Sequence, residues 1–266
     1  MNQKSVKIVA LFLSLFFGGT AANAVLVNYL PFDGNLNDVA GGHNGSSANA
    51  TYTNFMGRQA LDGNAANGHV VIASPTGAWS GNATANNAIT ISFYQQDFAR
   101  SNSSTFWADT QGGINGNRGA QAHVPWGNNT IFWDTSGCCG GPQRITSNGA
   151  GTDDGLWHHF VFLKNGGNKQ IWRDGILLAN QAAGAAALLG LEDLTIGAGS
   201  GGGNKFTGLI DDFAVWDNAL SADDIQRLAN GTNPLWIGVP EPASASLLVL
   251  SALGLGMRGS RRRQRD

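Results

Sequence analysis

Apolar residues in the middle of this 266-residue chain recur with a period of two. In Ile89-Thr90-Ile91-Ser92-Phe93-Tyr94 the odd positions are strongly apolar and the even ones mixed, as on a strand with one buried face. Segments 25–32, 69–73, 130–134, 158–164, 170–173 and 208–216 repeat the pattern. Between the apolar runs fall Asp33-Gly34, Asn44-Gly45, Asp62-Gly63, Asn67-Gly68, Asn115-Gly116, Asn165-Gly166 and Asp174-Gly175, pairs that tolerate the positive φ of tight turns. Many short strands with frequent turns predict an all-β sandwich. One helix is predicted near the end, with Ser221 as cap, Asp224 completing a capping box, Ile225 and Leu228 on one face, and Gly231 as terminator. The Ala-rich stretch Ala182 to Leu189 fits either a helical turn or a slack connection.

The two ends follow other rules. Lys4 and Lys7 precede the apolar run Ile8 to Phe17, and Ala22-Asn23-Ala24 offers small residues at the spacing a signal peptidase reads. The run is too short to span a bilayer, so residues 1–24 read as a signal peptide cleaved after Ala24. At the other end, Pro240-Glu241-Pro242 precedes an apolar stretch from Ala243 to Met257 and then Arg258, Arg261-Arg262-Arg263 and Arg265. The prolines favour an extended, accessible segment. The stretch falls short of the roughly 20 residues of a stable span, and the arginines behind it stay cytoplasmic, which fits transient membrane insertion. This three-part order resembles the PEP-CTERM sorting signal of Gram-negative bacteria. The resemblance implies processing by an exosortase-type transpeptidase and delivery to the cell surface or extracellular matrix. Residues 239–266 are then the sorting signal, and residues 25–238 one domain of a size that supports a single core.

Setting the targeting segments aside changes the charge. The whole chain carries −2, but residues 25–239 hold 9 basic and 16 acidic side chains, a net of −7. An acidic domain argues against a nucleic-acid partner, which requires a clustered positive field. Eight tryptophans and thirteen phenylalanines supply ample surface to bury, so low charge does not mean disorder here.

The only cysteines, Cys138 and Cys139, are adjacent. Neighbouring Cα atoms lie about 3.8 Å apart, closer than the roughly 4.4–6.8 Å of an ordinary disulfide. A strained vicinal disulfide, an intermolecular crosslink or two thiols remain, and an oxidising compartment favours the first two.

Three blocks carry a second resemblance. Tyr29-Leu30-Pro31-Phe32-Asp33-Gly34-Asn35-Leu36-Asn37-Asp38, followed by His43-Asn44-Gly45, is similar to the opening of laminin-G-like, concanavalin A-type jelly-roll domains. Trp157-His158-His159-Phe160-Val161 with Trp172-Arg173-Asp174-Gly175 resembles their central hairpin. Phe206-Thr207-Gly208-Leu209-Ile210-Asp211-Asp212-Phe213, then Trp216 and Ala219-Leu220-Ser221, resembles their closing strand and helix. The resemblance implies a concanavalin A-like jelly-roll of antiparallel strands with one short C-terminal helix, the targeting segments forming terminal helices. It also implies a binding or adhesion module for polysaccharide or a surface protein, with calcium as the cofactor to consider. Fifteen aspartates in residues 25–239 make coordination plausible, yet no spacing specifies a site.

Catalytic patterns are thin. His158 and His159 are neighbours on a predicted strand and should point to opposite faces, against a shared metal. Gly197-Ala198-Gly199-Ser200-Gly201-Gly202 matches a dinucleotide fingerprint by letter, but a strand follows it, where a phosphate-binding helix is required. Glycoside hydrolysis needs two carboxylates about 5–9.5 Å apart. Here the only glutamates are Glu192 and Glu241, and the neighbours Asp211 and Asp212 are expected to face opposite ways. No catalytic constellation is recognisable; a polysaccharide-degrading enzyme on the same fold is the alternative to a binding module, and a structural surface protein is the third reading.

The stretch from Arg100 to Asp154 departs most from the jelly-roll pattern and carries Trp107, Trp126 and Trp133. Trp133 reads as part of a strand. Trp126, in Pro125-Trp126-Gly127-Asn128-Asn129, reads as a loop residue and is the candidate for stacking on a sugar.

Overall fold

The computed structural model describes residues 23–64, 68–97 and 101–238, so Lys4, Lys7, Ala22, Pro240, Glu241, Pro242 and the tail arginines lie outside the described residues. Among the described residues, fourteen strands build two antiparallel sheets. The first contains β1 (Leu26–Leu30), β2 (Tyr52–Phe55), β3 (Arg58–Asp62), β5 (Ala88–Asp97), β10 (Trp157–Asn165), β11 (Asn168–Arg173), β12 (Ile176–Gln181) and β14 (Gly208–Trp216). Its order is β12-β11-β10-β5-β14-β3-β2, with β1 on the second half of β14. The second runs β4-β13-β6-β7-β8-β9, from β4 (Val70–Ile72), β13 (Leu191–Ile196), β6 (Phe106–Thr110), β7 (Ala120–Trp126), β8 (Thr130–Thr135) and β9 (Arg144–Asn148). This is the expected jelly-roll sandwich.

Alternation along the strands sets what lies between the sheets. Ile89, Ile91 and Phe93 of β5 face inward with Phe160, Phe162, Phe213 and Val215, and meet Phe106, Ala122, Val124, Ile131 and Trp133 of the second sheet. Phe93 is stacked on Phe162 and Phe213 at 5.9 and 5.8 Å and meets Phe106 edge-on at 6.0 Å. Such contacts add about 0.5–1.5 kcal/mol per pair beyond the area they bury. Lys169 is also fully buried. Its Nζ donates to the carbonyls of Trp133 at 2.9 Å and Gln143 at 2.7 Å, tying the first sheet to β8 and to the residue just before β9.

The other face of the first sheet has its own apolar cover. Tyr29, Val161, Leu163, Ala214 and Trp216 pack there against Leu220 and against Ile225 and Leu228 of the last helix. That helix spans Ala222–Ala229, and Ser221 Oγ accepts from Asp224 N at 3.1 Å, as the capping box predicts. Ala24 and Ile237 close the same cluster. Gly238 lies so near Ala24 that a Cβ there would meet the Ala24 carbonyl oxygen at 2.5 Å, so the two ends of the described domain touch.

Two glycines behave differently from one another. Asp174 and Gly175, at φ 52° and 76°, form the two-residue hairpin turn from β11 to β12 that their sequence predicts. Gly63 needs no positive φ; it is small because a Cβ would meet the Phe206 carbonyl oxygen at 2.7 Å. The Ala182 to Leu189 stretch contains no helix beyond the end of β12 and is a slack connection.

Candidate functional site

The divergent stretch supplies β6, β7, β8 and β9, the central strands and one edge strand of the second sheet. Their inward residues are small or apolar, and the alternate ones project outward: Trp107 from β6, Gln121 and His123 from β7, Phe132 and Asp134 from β8, Arg144 from β9. Trp126 is not a loop residue, as its sequence context predicts, but the last residue of β7. Simple alternation would set it on the face opposite His123. The pairing of β7 with β8 shifts register between His123 and Trp126, and this irregularity returns the indole to the outward face. The rings of His123 and Trp126 then meet edge-on at 4.5 Å. Trp133, by contrast, points inward and is wholly buried in the core.

Together these side chains form a cavity of about 320 Å³, lined by Trp107, Gln121, His123, Trp126, Phe132 and Arg144 and also by Arg118 and Cys139. Most of its polar groups are held. Asp134, fully buried, accepts from Arg144 Nε and Nη2 at 2.6 Å each and from Gln121 Nε2 at 2.5 Å. The Arg144 guanidinium lies 4.3 Å from the centre of the Phe132 ring. His123 Nδ1 sits 2.9 Å from the Ser103 carbonyl, which can only accept, so Nδ1 carries the proton and Nε2 is left as an acceptor. Burial holds the imidazole below its ordinary pKa and therefore neutral near pH 7. Trp107 Nε1 donates to Asp109 Oδ1 and the Asn117 carbonyl, both at 2.8 Å. One group has no partner: Gln121 is 1% exposed, yet its Oε1 makes no hydrogen bond. An unpaired buried carbonyl costs about 1–3 kcal/mol, so a donor brought by a ligand would be favoured there.

The vicinal pair forms the boundary of this cavity. Cys138 and Cys139 are bonded to each other with Cα atoms 3.7 Å apart, which selects the first of the three alternatives and leaves no thiol for the crosslinking role considered for them. Cys139 faces the aromatic cavity. Cys138 lines a neighbouring cavity of about 380 Å³ with Asn115, Ser136 and Gln143, and Arg118 lines both. Arg118 Nη1 lies 3.6 Å from Cys139 Sγ, and its guanidinium carbon 5.4 Å from the Trp107 ring.

A second polar cluster lies on the opposite layer, and there the sequence expectation fails. Asp211 and Asp212 do not face opposite ways. Asp212 adopts φ 50°, β14 slips against β5 between Asp211 and Ala214, and both carboxylates converge on Arg58 Nη1 at 2.5 and 2.9 Å. Tyr29 donates its hydroxyl to Asp212 at 2.5 Å, and Arg58 lies flat on the Tyr94 ring at 3.6 Å. Burial, then the charge of Asp212, pushes the Asp211 carboxyl up to about 7. The groups satisfy one another, so the cluster serves as a clasp where β14 passes from β3 to β1.

The histidines diverge as predicted. His158 is held between Asp174 at 2.7 Å and Asp154 at 3.2 Å, and His159 is buried against Tyr94 and bonded to Ser92 at 2.8 Å. Among the described residues no group of three or more His, Cys, Asp or Glu side chains is gathered where a metal ion could sit. Gly197 to Gly202 forms a tight turn before β14, with no helix following.

Of the residues that line this cavity, the sequence singled out Trp126 and not Gln121, His123, Phe132, Arg118 or Arg144. The signal was present: Ala120-Gln121-Ala122-His123-Val124 alternates small apolar with polar residues, the mark of a strand presenting its polar side outward.

Two antiparallel sheets packed face to face, with a side-chain-lined cavity on the outer face of one, define a jelly-roll sandwich domain. The chain belongs to the Laminin_G_3 family of the concanavalin A-like lectin/glucanases superfamily, whose model matches residues 62–226. Comparison with curated protein sequences gives no match. Among solved structures, the chain is similar to the binding domain of botulinum neurotoxin serotype D/C, with TM-score 0.57 and 17% identity over 77% of this chain and 51% of that one. It therefore spans about half of that toxin fragment. It is also similar to domain 4 of AbnA, an extracellular arabinanase from Geobacillus stearothermophilus solved with arabinotriose, at TM-score 0.53 and 14% identity, over 78% of this chain and 99% of that one. A third is Trypanosoma rangeli sialidase in complex with 2,3-difluorosialic acid, at TM-score 0.55 and 16% identity, over 77% of this chain and 32% of that one. At these identities the likeness is one of fold.

Proposed function

We propose that this protein is an exported, non-catalytic module that seats a carbohydrate in the cavity formed by Trp107, Gln121, His123, Trp126, Phe132 and Arg144. The observation that carries this reading is the unpaired, buried Oε1 of Gln121 among aromatic side chains. Sugars present alternating hydroxyls and apolar ring faces, and the cavity offers acceptors at Gln121 and His123 beside the indole of Trp126. Its lining contains no carboxylate among the described residues, whereas glycoside hydrolysis runs on a carboxylate pair. The arabinanase domain, similar over nearly all its length, was solved with arabinotriose, which supports a sugar as the class of ligand.

The targeting segments extend the reading to location. A signal peptide removed after Ala24 and a Pro240-Glu241-Pro242 signal processed by an exosortase-type enzyme would deliver the module to the cell surface or polysaccharide matrix. Binding is tested on a glycan array with wild type and Trp126→Ala. Loss of signal in the variant, with its thermal unfolding unchanged, is expected; a variant that binds as well as wild type overturns the assignment of the cavity.

A further inference from the structure

Arg118 stands apart from the other charges around the cavity. Arg144 is neutralised by the two oxygens of Asp134. The contacts of the Arg118 guanidinium are the sulfur of Cys139 and the face of Trp107, and it forms no ion pair among the described residues. It lines both cavities, and neither lining includes an aspartate or glutamate among the described residues. In a domain whose net charge is −7, this is a local positive field with no counter-charge.

We propose that the two cavities form one binding cleft for an anionic polysaccharide, with Arg118 receiving the carboxylate of a uronic acid unit at the partition between them. The proposal rests on the carbohydrate reading above and names its substrate class. Three features favour it. A guanidinium presents a planar fork that matches a carboxylate in a charge-assisted pair, stronger than the neutral bonds the rest of the lining can make. Its guanidinium lies beside an indole and a disulfide, surfaces that shield one side of it from water and so strengthen its attraction for an anion. Finally, each cavity lies at the small end of the roughly 300–1,000 Å³ that holds a compact ligand, and they share one wall residue. That arrangement suits a chain running from one cavity into the next, with the charged substituent at the crossing.

The test compares a hexagalacturonate with its methyl ester, which keeps the rings and removes the charges, using the purified protein and calorimetric titration at low and high salt. Wild type should bind the acid about tenfold more tightly than the ester at low salt, as expected for a charge-assisted pair, and the advantage should shrink as salt screens it. Arg118→Gln should bring the ratio of acid to ester affinity close to one, Arg118→Glu should invert it, and Arg118→Lys should keep part of it. Unchanged thermal unfolding shows that the half-exposed side chain was replaced without harm to the fold. Equal affinity of wild type for acid and ester, lost in Trp126→Ala, overturns this proposal and leaves the carbohydrate reading standing. A full acid preference in Arg118→Gln overturns the role of Arg118. No binding of either form, or of any glycan on the array, overturns both.

Discussion

Asp134 grips Arg144 through both carboxylate oxygens, Oδ1 on Nε and Oδ2 on Nη2, each at 2.6 Å. The pair spans adjacent strands β8 and β9, with its carboxylate fully buried and its guanidinium part-exposed. The fork does two things at once. It removes Arg144 as an electrostatic attractor, and it holds the guanidinium over Phe132, 4.3 Å from the ring centre, as part of the cavity wall.

Asp134→Asn should therefore destabilise the domain by about 1–3 kcal/mol, less than a fully buried pair because Arg144 reaches solvent. Chemical denaturation measures this. The same variant leaves a second guanidinium without its counter-charge, so its preference for the acidic hexasaccharide over the ester should increase. A decreased preference would count against the electrostatic account.

Asp211 sets a pH dependence. Its folded pKa, about 7, lies above its ordinary 3.8, so the native state holds a proton that the unfolded state has lost between those values. Its contribution is therefore full below about pH 4 and declines as pH rises towards 7. His159, held near 3 by burial, acts in the opposite direction below its ordinary 6.5, so the raw stability curve mixes the two. The difference between wild type and Asp211→Asn isolates the aspartate. The variant should gain on wild type from pH 4 to 7, by on the order of 1–3 kcal/mol, and a flat difference refutes the shift.

Lys169 gives the alkaline counterpart. Burial lowers its pKa from 10.5 to about 7, so between those values the unfolded chain binds a proton that the native state does not. Its contribution to stability therefore rises with pH from 7 to 10.5 and is lost as pH falls through that window. Lys169→Met abolishes this slope and leaves the Trp133 and Gln143 carbonyls without their donor. Urea unfolding at pH 7 and pH 10 should show wild type gaining on the variant at the higher pH.

Processing after Ala24 would turn the Val25 nitrogen into an ammonium group. That nitrogen lies 3.0 Å from the Asp217 carboxylate, which is buried. N-terminal sequencing of the exported protein should begin at Val25, and Asp217→Asn should lower stability by about 1 kcal/mol. A protein starting at Met1 rejects the export reading.

Period-two alternation carried much of the fold: β5, β8, β10 and β14 fall where the apolar pattern places them. Tyr52–Phe55 and Ile176–Gln181 escaped because both are edge strands with only partly buried side chains, so apolar and polar positions do not separate cleanly. The site was less legible, for a geometric reason. Trp126 and Asp212 owe their positions to irregular pairing, and each breaks the alternation from which a strand's facing is read. The partnership of Asp134 with Arg144 joins residues whose contact depends on the register of β8 against β9, which neither segment encodes alone.

The closeness of the two ends of the domain bears on how the molecule is held. Val25, whose nitrogen lies 3.0 Å from Asp217, and Gly238, beside Trp216, keep both ends at the outer side of the first sheet after cleavage at Ala24, whereas the cavity opens from the outer side of the second. Anything that holds the domain by either end holds it by the same corner, on the layer away from the cleft. A domain moored in this way would turn the proposed binding surface outward without a long spacer, and losing the tether at one end would not change which side it shows.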